Sequence, residues 1–201
     1  MIRLYGTLTS PYVRRVRVVA LELGLSVELV DAASDEGQAA MRAINPLWKV
    51  PTVELDGQAI FDSRVINEEL IARHGPGPLA PHEPDDLDAR NLVTVIDGAL
   101  DALVNTVYLA KDGVAADAAS YIAKQHARAA DAMAWVDARI DGLSLTRAAG
   151  FGLAELALCT AVEWMRFRQT YPIERHAAIV RVAEHHAARP SLVATRPPVS
   201  A

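Results

Sequence analysis

The segment TSPYVRRV (residues 9–16) stands where a short β-rich run, 2–5, gives way to a helical pattern over 11–23. Serine is a favoured N-cap and proline a favoured first residue of a helix, so Ser10 and Pro11 mark a helix start. A helix N-terminus presents unpaired N–H groups and a partial positive charge, which stabilise an anion. The segment therefore predicts a strand–turn–helix unit. Ser10 is either simply the cap of this helix or, in addition, a hydroxyl that donates to a thiolate and lowers the thiol pKa.

Short β-rich runs and helical patterns alternate through the rest of the N-terminal part. After the first helix the sequence predicts a strand, a short helix, a hairpin and a closing helix, over 27–30, near 38–43, over 52–55 with 59–61, and over 63–74. The dipeptide at 56–57, Asp-Gly, is typical of the tight turn in a hairpin. This βαβ–ββα order predicts a mixed four-stranded sheet with helices packed on its faces.

A proline-rich segment separates this part from an alanine-rich, helical one. Residues 75–84 hold four prolines and two glycines, which break both helices and strands. Four helical patterns follow, over about 85–111, 116–140, 153–169 and 174–188. The tail from Arg189 holds three prolines and is expected to be extended. We therefore predict an α/β domain over 1–76, a linker over 77–86 and an all-α domain over 87–201.

The composition is that of a globular protein, with 51% hydrophobic and 22% charged residues. A net charge of −5 argues against nucleic acid as a partner, because such binding relies on a basic surface. The basic cluster of Arg14, Arg15 and Arg17 is interpreted as a solvated helix face. The most apolar stretch, 153–162, is too short to cross a bilayer, and no signal-like leader begins the sequence. We expect a cytoplasmic protein with no membrane partner.

The cysteine and the histidines do not indicate a reactive thiol, a metal site or a catalytic triad. The single cysteine, Cys159, falls in an apolar helical pattern and is interpreted as a small core residue rather than a reactive thiol. The six histidines show no spacing typical of a metal site or a catalytic triad. We therefore expect no metal.

The segment NPLWKVPT (45–52) is a second candidate for ligand binding. Pro51 directly precedes a predicted strand, where a cis bond from Val50 would shape a sharp turn. With that bond cis, the backbone N–H and C=O of Val50 can pair with an extended peptide as a strand would. The neighbouring Lys49 can supply a cation to a carboxylate.

The segment FDSRVI (61–66) is the third candidate, at another junction of strand and helix. Asp62 or Ser63 is the expected N-cap of the following helix. Functionally, Asp62 can bind an ammonium group, while Ser63 and the free helix N–H groups bind a carboxylate. The segment therefore has the groups needed to hold the head of an α-amino acid.

These three segments, in this order and spacing, resemble the N-terminal half of glutathione transferases. The likeness extends over the whole chain and is greatest to small bacterial serine-type members that end in a Pro-Pro tail, as 197–198 do here. It implies a thioredoxin-like N-terminal domain and an all-helical C-terminal domain that supplies the electrophile pocket. It also implies glutathione as cosubstrate and a homodimer.

The resemblance assigns a role to each binding segment. Pro51 would be cis, and Val50 would pair through its backbone with the cysteinyl unit of glutathione. Asp62 and Ser63 would hold the γ-glutamyl head, and Lys49 would reach the glycine carboxylate. Tyr12, Tyr108 and Trp164 are candidates for the electrophile pocket, although aromatic residues in helices more often belong to the core.

Three residues compete for the contact with the glutathione sulfur. Ser10 is preferred because it stands directly at the helix start. Tyr5, in the first strand, is the counterpart of the tyrosine used by some branches of the family, and Thr9 would serve if the turn were rotated. All three stay open at this point.

The sequence departs from the family pattern at three places. Trp48 occupies a position where glycine is common, and Asp62 stands where many members have glutamate. In the helical half, Gly152 replaces the Ser or Thr of a capping box. Glu155 at the N3 position can still reach back to the helix start, so we expect a weaker cap.

The leading functional hypothesis is transfer of the glutathione thiolate to a small hydrophobic electrophile, as in detoxification. Glutathione-dependent peroxide reduction or isomerisation is an alternative that the same site could support. A third hypothesis is a stress-associated protein that binds glutathione without turnover, since a fold does not determine a function.

Overall fold

The computed structural model describes residues 1–80, 85–146 and 150–198. Residues 81–84 of the predicted linker, and the last three residues of the predicted C-terminal domain, lie outside that description. The chain divides into two compact units. Unit 1 comprises Met1–Leu79 and the segment that begins at Ala188, and unit 2 is Ala80–Ala187.

Unit 1 is built on a four-stranded sheet. Its elements are β1 (Ile2–Gly6), α1 (Pro11–Glu22), β2 (Val27–Asp31), α2 (Asp35–Ile44), β3 (Thr52–Leu55), β4 (Gln58–Phe61) and α3 (Ser63–His74). The strand order is β2-β1-β3-β4, with β1 parallel to β2 and antiparallel to β3, and β4 antiparallel to β3. The predicted mixed, thioredoxin-like sheet is confirmed.

Helix α2 is longer than the short helix predicted near 38–43. Its start is fixed by Ser34, whose Oγ accepts a hydrogen bond of 3.1 Å from the N–H of Gly37. Asp35 and Glu36 occupy the first turn, where negative charge complements the helix dipole. The capping residue therefore begins the helix one turn earlier than the apolar pattern indicates.

The two faces of the sheet bury different side chains. Leu4 of β1 and Val53 of β3 are cross-strand partners and are fully buried, as is Ile66 of α3. Tyr5, one residue further along β1, points to the other face and packs in a cluster with Met41 of α2. This alternation follows from the two-residue period of a strand.

The prediction that the arginines of α1 form a solvated face is wrong for two of the three. Arg14 and Arg15 are each only 2% exposed. The guanidinium of Arg14 donates to Thr195 Oγ1 at 3.2 Å and to the carbonyl oxygen of Leu192 at 3.0 Å. A buried guanidinium needs such acceptors, and these come from the far end of the chain.

The C-terminal tail is not extended as predicted, because residues 190–194 form a short helix, α8 (Pro190–Ala194), with Pro190 in its first turn. We call residues 189–195 the C-terminal strap. The strap packs on α1, so it belongs to unit 1. The predicted domain 87–201 differs from the structural unit at this end.

An ion pair joins the strap to α1. Arg189 Nε and Nη2 donate to the two carboxylate oxygens of Glu22 at 2.7 and 2.9 Å, and Ser191 Oγ donates to the same carboxylate. Burial by itself raises the pKa of Glu22, but the hydrogen bonds from Arg189 and Ser191 bring that pKa below its ordinary value. The folded strap therefore favours the ionised carboxylate.

Unit 2 is helical throughout its named elements. They are α4 (Leu87–Lys111), α5 (Ser120–Asp137), α6 (Leu153–Arg168), a short 3₁₀ turn (Ile173–Arg175) and α7 (Ala177–His186). Helix α6 packs against α4 and α7, and Cys159 is buried within it, as predicted. The predicted fold of an α/β part followed by an all-helical part is confirmed.

The start of α6 has the reduced cap that the sequence predicts. Glu155, which is 1% exposed, accepts hydrogen bonds from the N–H of Gly152 at 3.0 Å and of Leu145 at 3.3 Å. Burial raises the pKa of the Glu155 carboxyl, against the opposing effect of these backbone donors. Glutamate thus supplies its own half of the capping box, while the half that needs a side chain on the N-cap residue is absent.

Helix α4 is 25 residues long and, by length and composition alone, could cross a membrane. The prediction that 153–162 is the most apolar stretch left this helix out. Core helices of globular proteins can be equally long and apolar. Here α4 packs against α5 and α6.

Candidate functional site

Ser10 caps helix α1 as predicted. Its backbone is extended, with φ −79° and ψ 125°, and its Oγ accepts a hydrogen bond of 3.3 Å from the N–H of Val13. Gly6, at the end of β1, lets Val13 come close, since a Cβ on Gly6 would lie 2.5 Å from a Val13 methyl carbon. Among the described residues, Ser10 donates its own hydroxyl proton to none. That proton is available for a ligand beside the helix N-terminus.

Tyr5 is placed differently. It is 2% exposed, and its hydroxyl donates to the carboxylate of Glu54. Burial, followed by the hydrogen bond and charge of Glu54, raises the pKa of Tyr5. A tyrosine whose proton is held by a carboxylate is a poor donor to a second anion. The geometry thus favours Ser10 over Tyr5 for the sulfur contact.

The loop before β3 has the unusual backbone that the sequence analysis considered. The Val50–Pro51 peptide bond is cis, and Trp48 has a positive φ of 54°. Trp48 is 63% exposed, and the guanidinium of Arg42 lies over its ring at 4.8 Å from the centroid. Lys49 is exposed, and Val50 is half-buried. The bulky residue in place of glycine thus stands on the surface of the loop.

The start of α3 holds Asp62 in a strained conformation. Asp62 is the N-cap, and its Oδ1 accepts from the N–H of Arg64 at 2.8 Å. Its φ of 70° and ψ of 132° are unusual for a residue with a side chain and cost about 1–3 kcal/mol. The neighbouring Ser63 is 4% exposed. Such strain is commonly found where a side chain must face a ligand.

The register of the sheet brings the three candidate segments together. Tyr5 of β1 pairs with Thr52 of β3, and Thr52 pairs with Phe61 of β4. The turn that leads to Ser10 follows β1, the Val50–Pro51 bond precedes β3, and Asp62 follows β4. All three segments therefore lie at the same end of three adjacent strands.

Comparison with known proteins also relates the chain to glutathione transferases. A family profile described as "Glutathione S-transferase, N-terminal domain" matches residues 4–78. The chain is 27% identical to the uncharacterized GST-like protein YibF of Escherichia coli over 98% of each chain. The chain is thus similar to glutathione transferases, and its residues 4–78 match their N-terminal domain. The three candidate binding segments lie wholly within the matched region.

Solved structures show the same fold with ligand bound. A glutathione S-transferase of Methylobacterium radiotolerans, in complex with glutathione sulfonate, has a TM-score of 0.83 at 28% identity, covering 100% of this chain and 96% of that one. A glutathione transferase family member of Pseudomonas fluorescens Pf-5, with bound glutathione, has a TM-score of 0.82 at 29% identity, covering 99% and 100%. Both are homologues of similar length.

Another relative matches over a smaller part of its length. A probable maleylacetoacetate isomerase of Caenorhabditis elegans is 37% identical over 70 residues. The match spans 35% of this chain and 33% of that protein.

The three aromatic residues predicted to line the electrophile pocket have different surroundings. Tyr12 is half-buried on α1, with the Arg15 guanidinium 5.2 Å from its ring centroid. Tyr108, near the end of α4, is 61% exposed, whereas Trp164 of α6 is 4% exposed. Tyr108 therefore has a surface that a ligand could contact, and Trp164 is mainly a core residue. A shared pocket of the three stays a prediction.

Asn45 and Thr52, at the two ends of the loop before β3, were not predicted to shape the site. Asn45 is 1% exposed and Thr52 is fully buried. Both donate hydrogen bonds to the Lys49 carbonyl oxygen in the loop between them, and Asn45 also donates to the Thr52 hydroxyl. The residue types gave little signal, because asparagine before proline is typical of a turn and threonine is typical of a strand.

No group of three or more histidine, cysteine, aspartate or glutamate residues that could hold a metal ion occurs in the described part of the chain.

Proposed function

We propose that this protein binds glutathione and transfers its thiolate to small hydrophobic electrophiles. The observation that carries the proposal is the sheet register, Tyr5 with Thr52 and Thr52 with Phe61, which collects the three binding segments at one end of the sheet. Support also comes from the homologous structures with bound glutathione or glutathione sulfonate.

Each part of the tripeptide has a matching group. Asp62 binds the ammonium of the γ-glutamyl head, and Ser63 with the N–H groups at the start of α3 binds its carboxylate. The backbone of Val50 pairs with the cysteinyl unit in the manner of a β-strand. Lys49 provides a cation for the glycine carboxylate. These contacts hold the thiol near the start of α1.

The chemistry then follows from the N-terminus of α1. A cysteine thiol has a pKa of about 8.5, so only a small fraction is thiolate at neutral pH. The Ser10 hydroxyl donates to the sulfur, and the helix dipole favours the negative charge, so the thiol proton is released to solvent more readily. Sulfur then forms a bond to the electrophilic carbon, and the leaving group departs with its bonding electrons. Ser10 keeps its proton throughout.

Isomerisation is a second candidate, favoured by the partial match to a probable maleylacetoacetate isomerase. The same thiolate would add to an activated double bond, allow rotation about the resulting single bond, and leave again with its electron pair. Glutathione would then be a cofactor that is regenerated.

We further propose that the protein is a cytoplasmic homodimer that acts in detoxification, as the family resemblance implies. The exposed large apolar side chains of unit 1 include Leu47 at 62%, Trp48 at 63% and Val65 at 52%. Where such side chains form one contiguous patch, the surface is typically covered in an assembly. Sedimentation equilibrium tests the dimer directly.

The proposed function is tested by glutathione calorimetry together with turnover of a chloronitrobenzene electrophile. We expect saturable binding and conjugation by the wild type, with conjugation about 100-fold slower in Ser10→Ala because the thiolate loses its donor. Tyr5→Phe is the matched control and should retain conjugation. Binding without turnover of any electrophile or isomerisation substrate would favour a binding protein, and absence of glutathione binding would refute the proposal.

A further inference from the structure

Asn45 and Thr52 form a buried polar network inside the loop that precedes β3. The Asn45 side-chain amide donates to the Lys49 carbonyl oxygen at 2.9 Å and to Thr52 Oγ1 at 2.7 Å, and its Oδ1 accepts from the N–H of Leu47 at 2.8 Å. The Thr52 hydroxyl donates to the same Lys49 oxygen at 2.9 Å. Burying a side-chain amide is unfavourable unless its N–H and C=O groups are hydrogen-bonded, and those of Asn45 are.

The network converges on one peptide group, the one that joins Lys49 to Val50. Its oxygen accepts two hydrogen bonds, both from the interior of the loop. This peptide bond is trans, since the cis bond of the loop is the next one. In a planar trans peptide the C=O and N–H point in opposite directions. Fixing the Lys49 oxygen inward therefore points the Val50 N–H away from Asn45 and Thr52.

The Val50 N–H has no hydrogen-bond partner in the described part of the chain. Val50 is half-buried, and a partly buried backbone donor is normally paired. The loop also holds Trp48 in the left-handed region, which a bulky residue does not favour by itself. Side-chain hydrogen bonds thus keep the loop in a conformation that exposes a donor.

We propose that Asn45 and Thr52 are positioning residues for glutathione. They hold the Lys49–Val50 peptide plane so that the Val50 N–H faces the carbonyl oxygen of the cysteinyl unit. The inference rests on the proposed function, because it concerns the same tripeptide. Neither side chain touches the ligand, and both act through one peptide group.

Thr52→Val is the sharpest test, because valine keeps the shape and the strand preference of threonine while removing the hydroxyl. We expect the Kd for glutathione to rise about 3- to 10-fold, as for the loss of one well-placed hydrogen bond. The rate at saturating glutathione and the pKa of the bound thiol should stay unchanged, since Ser10 is untouched. Thr52→Ser keeps the hydroxyl and should restore wild-type affinity.

Thr160→Val is the matched control. Thr160 is also fully buried, and its hydroxyl donates to carbonyl oxygens of its own helix, α6, in unit 2. It should lower the melting temperature without changing the Kd for glutathione. Equal Kd values for wild type and Thr52→Val, or an equal rise in Thr160→Val, would overturn the positioning role.

A modified ligand separates positioning from a general loss of structure. In a glutathione analogue with a thiocarbonyl at the cysteinyl unit, the hydrogen-bond acceptor is weaker. Wild type should bind this analogue less well than glutathione, and Thr52→Val should discriminate less between the two. Undiminished discrimination by Thr52→Val would contradict the proposal. Failure of the wild type to bind glutathione at all would instead refute the proposed function, and the positioning role with it.

Discussion

Replacement of Arg189 by methionine tests whether the C-terminal strap is an integral part of unit 1. Methionine keeps much of the length and apolar contact of the arginine stem but removes both donors to Glu22. Arg189 of the strap lies 167 positions along the chain from Glu22. The strap is attached to α1 by this ion pair and by the buried hydrogen bonds of Arg14.

The magnitude follows from the burial of the pair. The Arg189 side chain is 24% exposed and that of Glu22 is 9% exposed, so the carboxylate would be left with Ser191 as its remaining side-chain donor. Loss of two charge-assisted hydrogen bonds and a largely buried counterion should lower the free energy of unfolding by about 3 kcal/mol. For a chain of this length that corresponds to a fall in melting temperature of roughly 6–12 °C.

Arg73→Met provides the comparison within the same unit. Arg73 also pairs with two carboxylates, Glu69 and Asp56, but on the surface, where ion pairs are worth about 1 kcal/mol or less. Differential scanning calorimetry should show a clearly larger loss for Arg189→Met, and Glu22→Gln in the same chain should recover part of it. If the two arginine variants melt alike, the strap is not held in the way described.

Three further predictions concern other parts of the chain. Gly37→Ala should lower the free energy of unfolding by about 3 kcal/mol, because the new Cβ would lie 2.1 Å from the Asp31 carbonyl oxygen. Gly98→Ala, which adds a Cβ in open space within a helix, should instead raise it by about 0.5–1 kcal/mol. Urea unfolding of both variants tests this pair of predictions. The pKa of Glu22 is lower in the folded protein than its unfolded value of 4.5. Its contribution to stability is therefore present above pH 4.5 and is lost as the pH falls through the folded pKa. In urea titrations at decreasing pH, the wild type should lose more stability over this range than Glu22→Gln. Asp62→Asn should raise the Kd for glutathione about tenfold by removing a charge from the ammonium contact, as calorimetry would show.

Local sequence signals determined much of the fold. Ser10 and Pro11 mark the start of α1, Asp-Gly at 56–57 marks the hairpin, and α3 has the predicted bounds 63–74. Each of these features is decided by residues a few positions apart, through capping and turn chemistry. They can therefore be recognised in a single sequence.

Features that depend on distant partners could not be predicted. Arg14 is buried because Leu192 and Thr195 supply acceptors from 178 and 181 positions away, and nothing near α1 in the sequence indicates them. The same contacts favour the helix α8 over an extended tail. Asn45 and Thr52 are close in sequence, yet their types are common in turns and strands, so their joint hold on one peptide group becomes visible only in three dimensions.

The role of Ser10 is tested most directly by the pKa of the glutathione thiol bound to the protein, followed through the ultraviolet absorbance of the thiolate. We expect a pKa well below about 8.5 in the wild type and in Tyr5→Phe, and a return toward that value in Ser10→Ala. An unshifted thiol in the wild type, or a shift that survives in Ser10→Ala and disappears in Tyr5→Phe, would contradict this role.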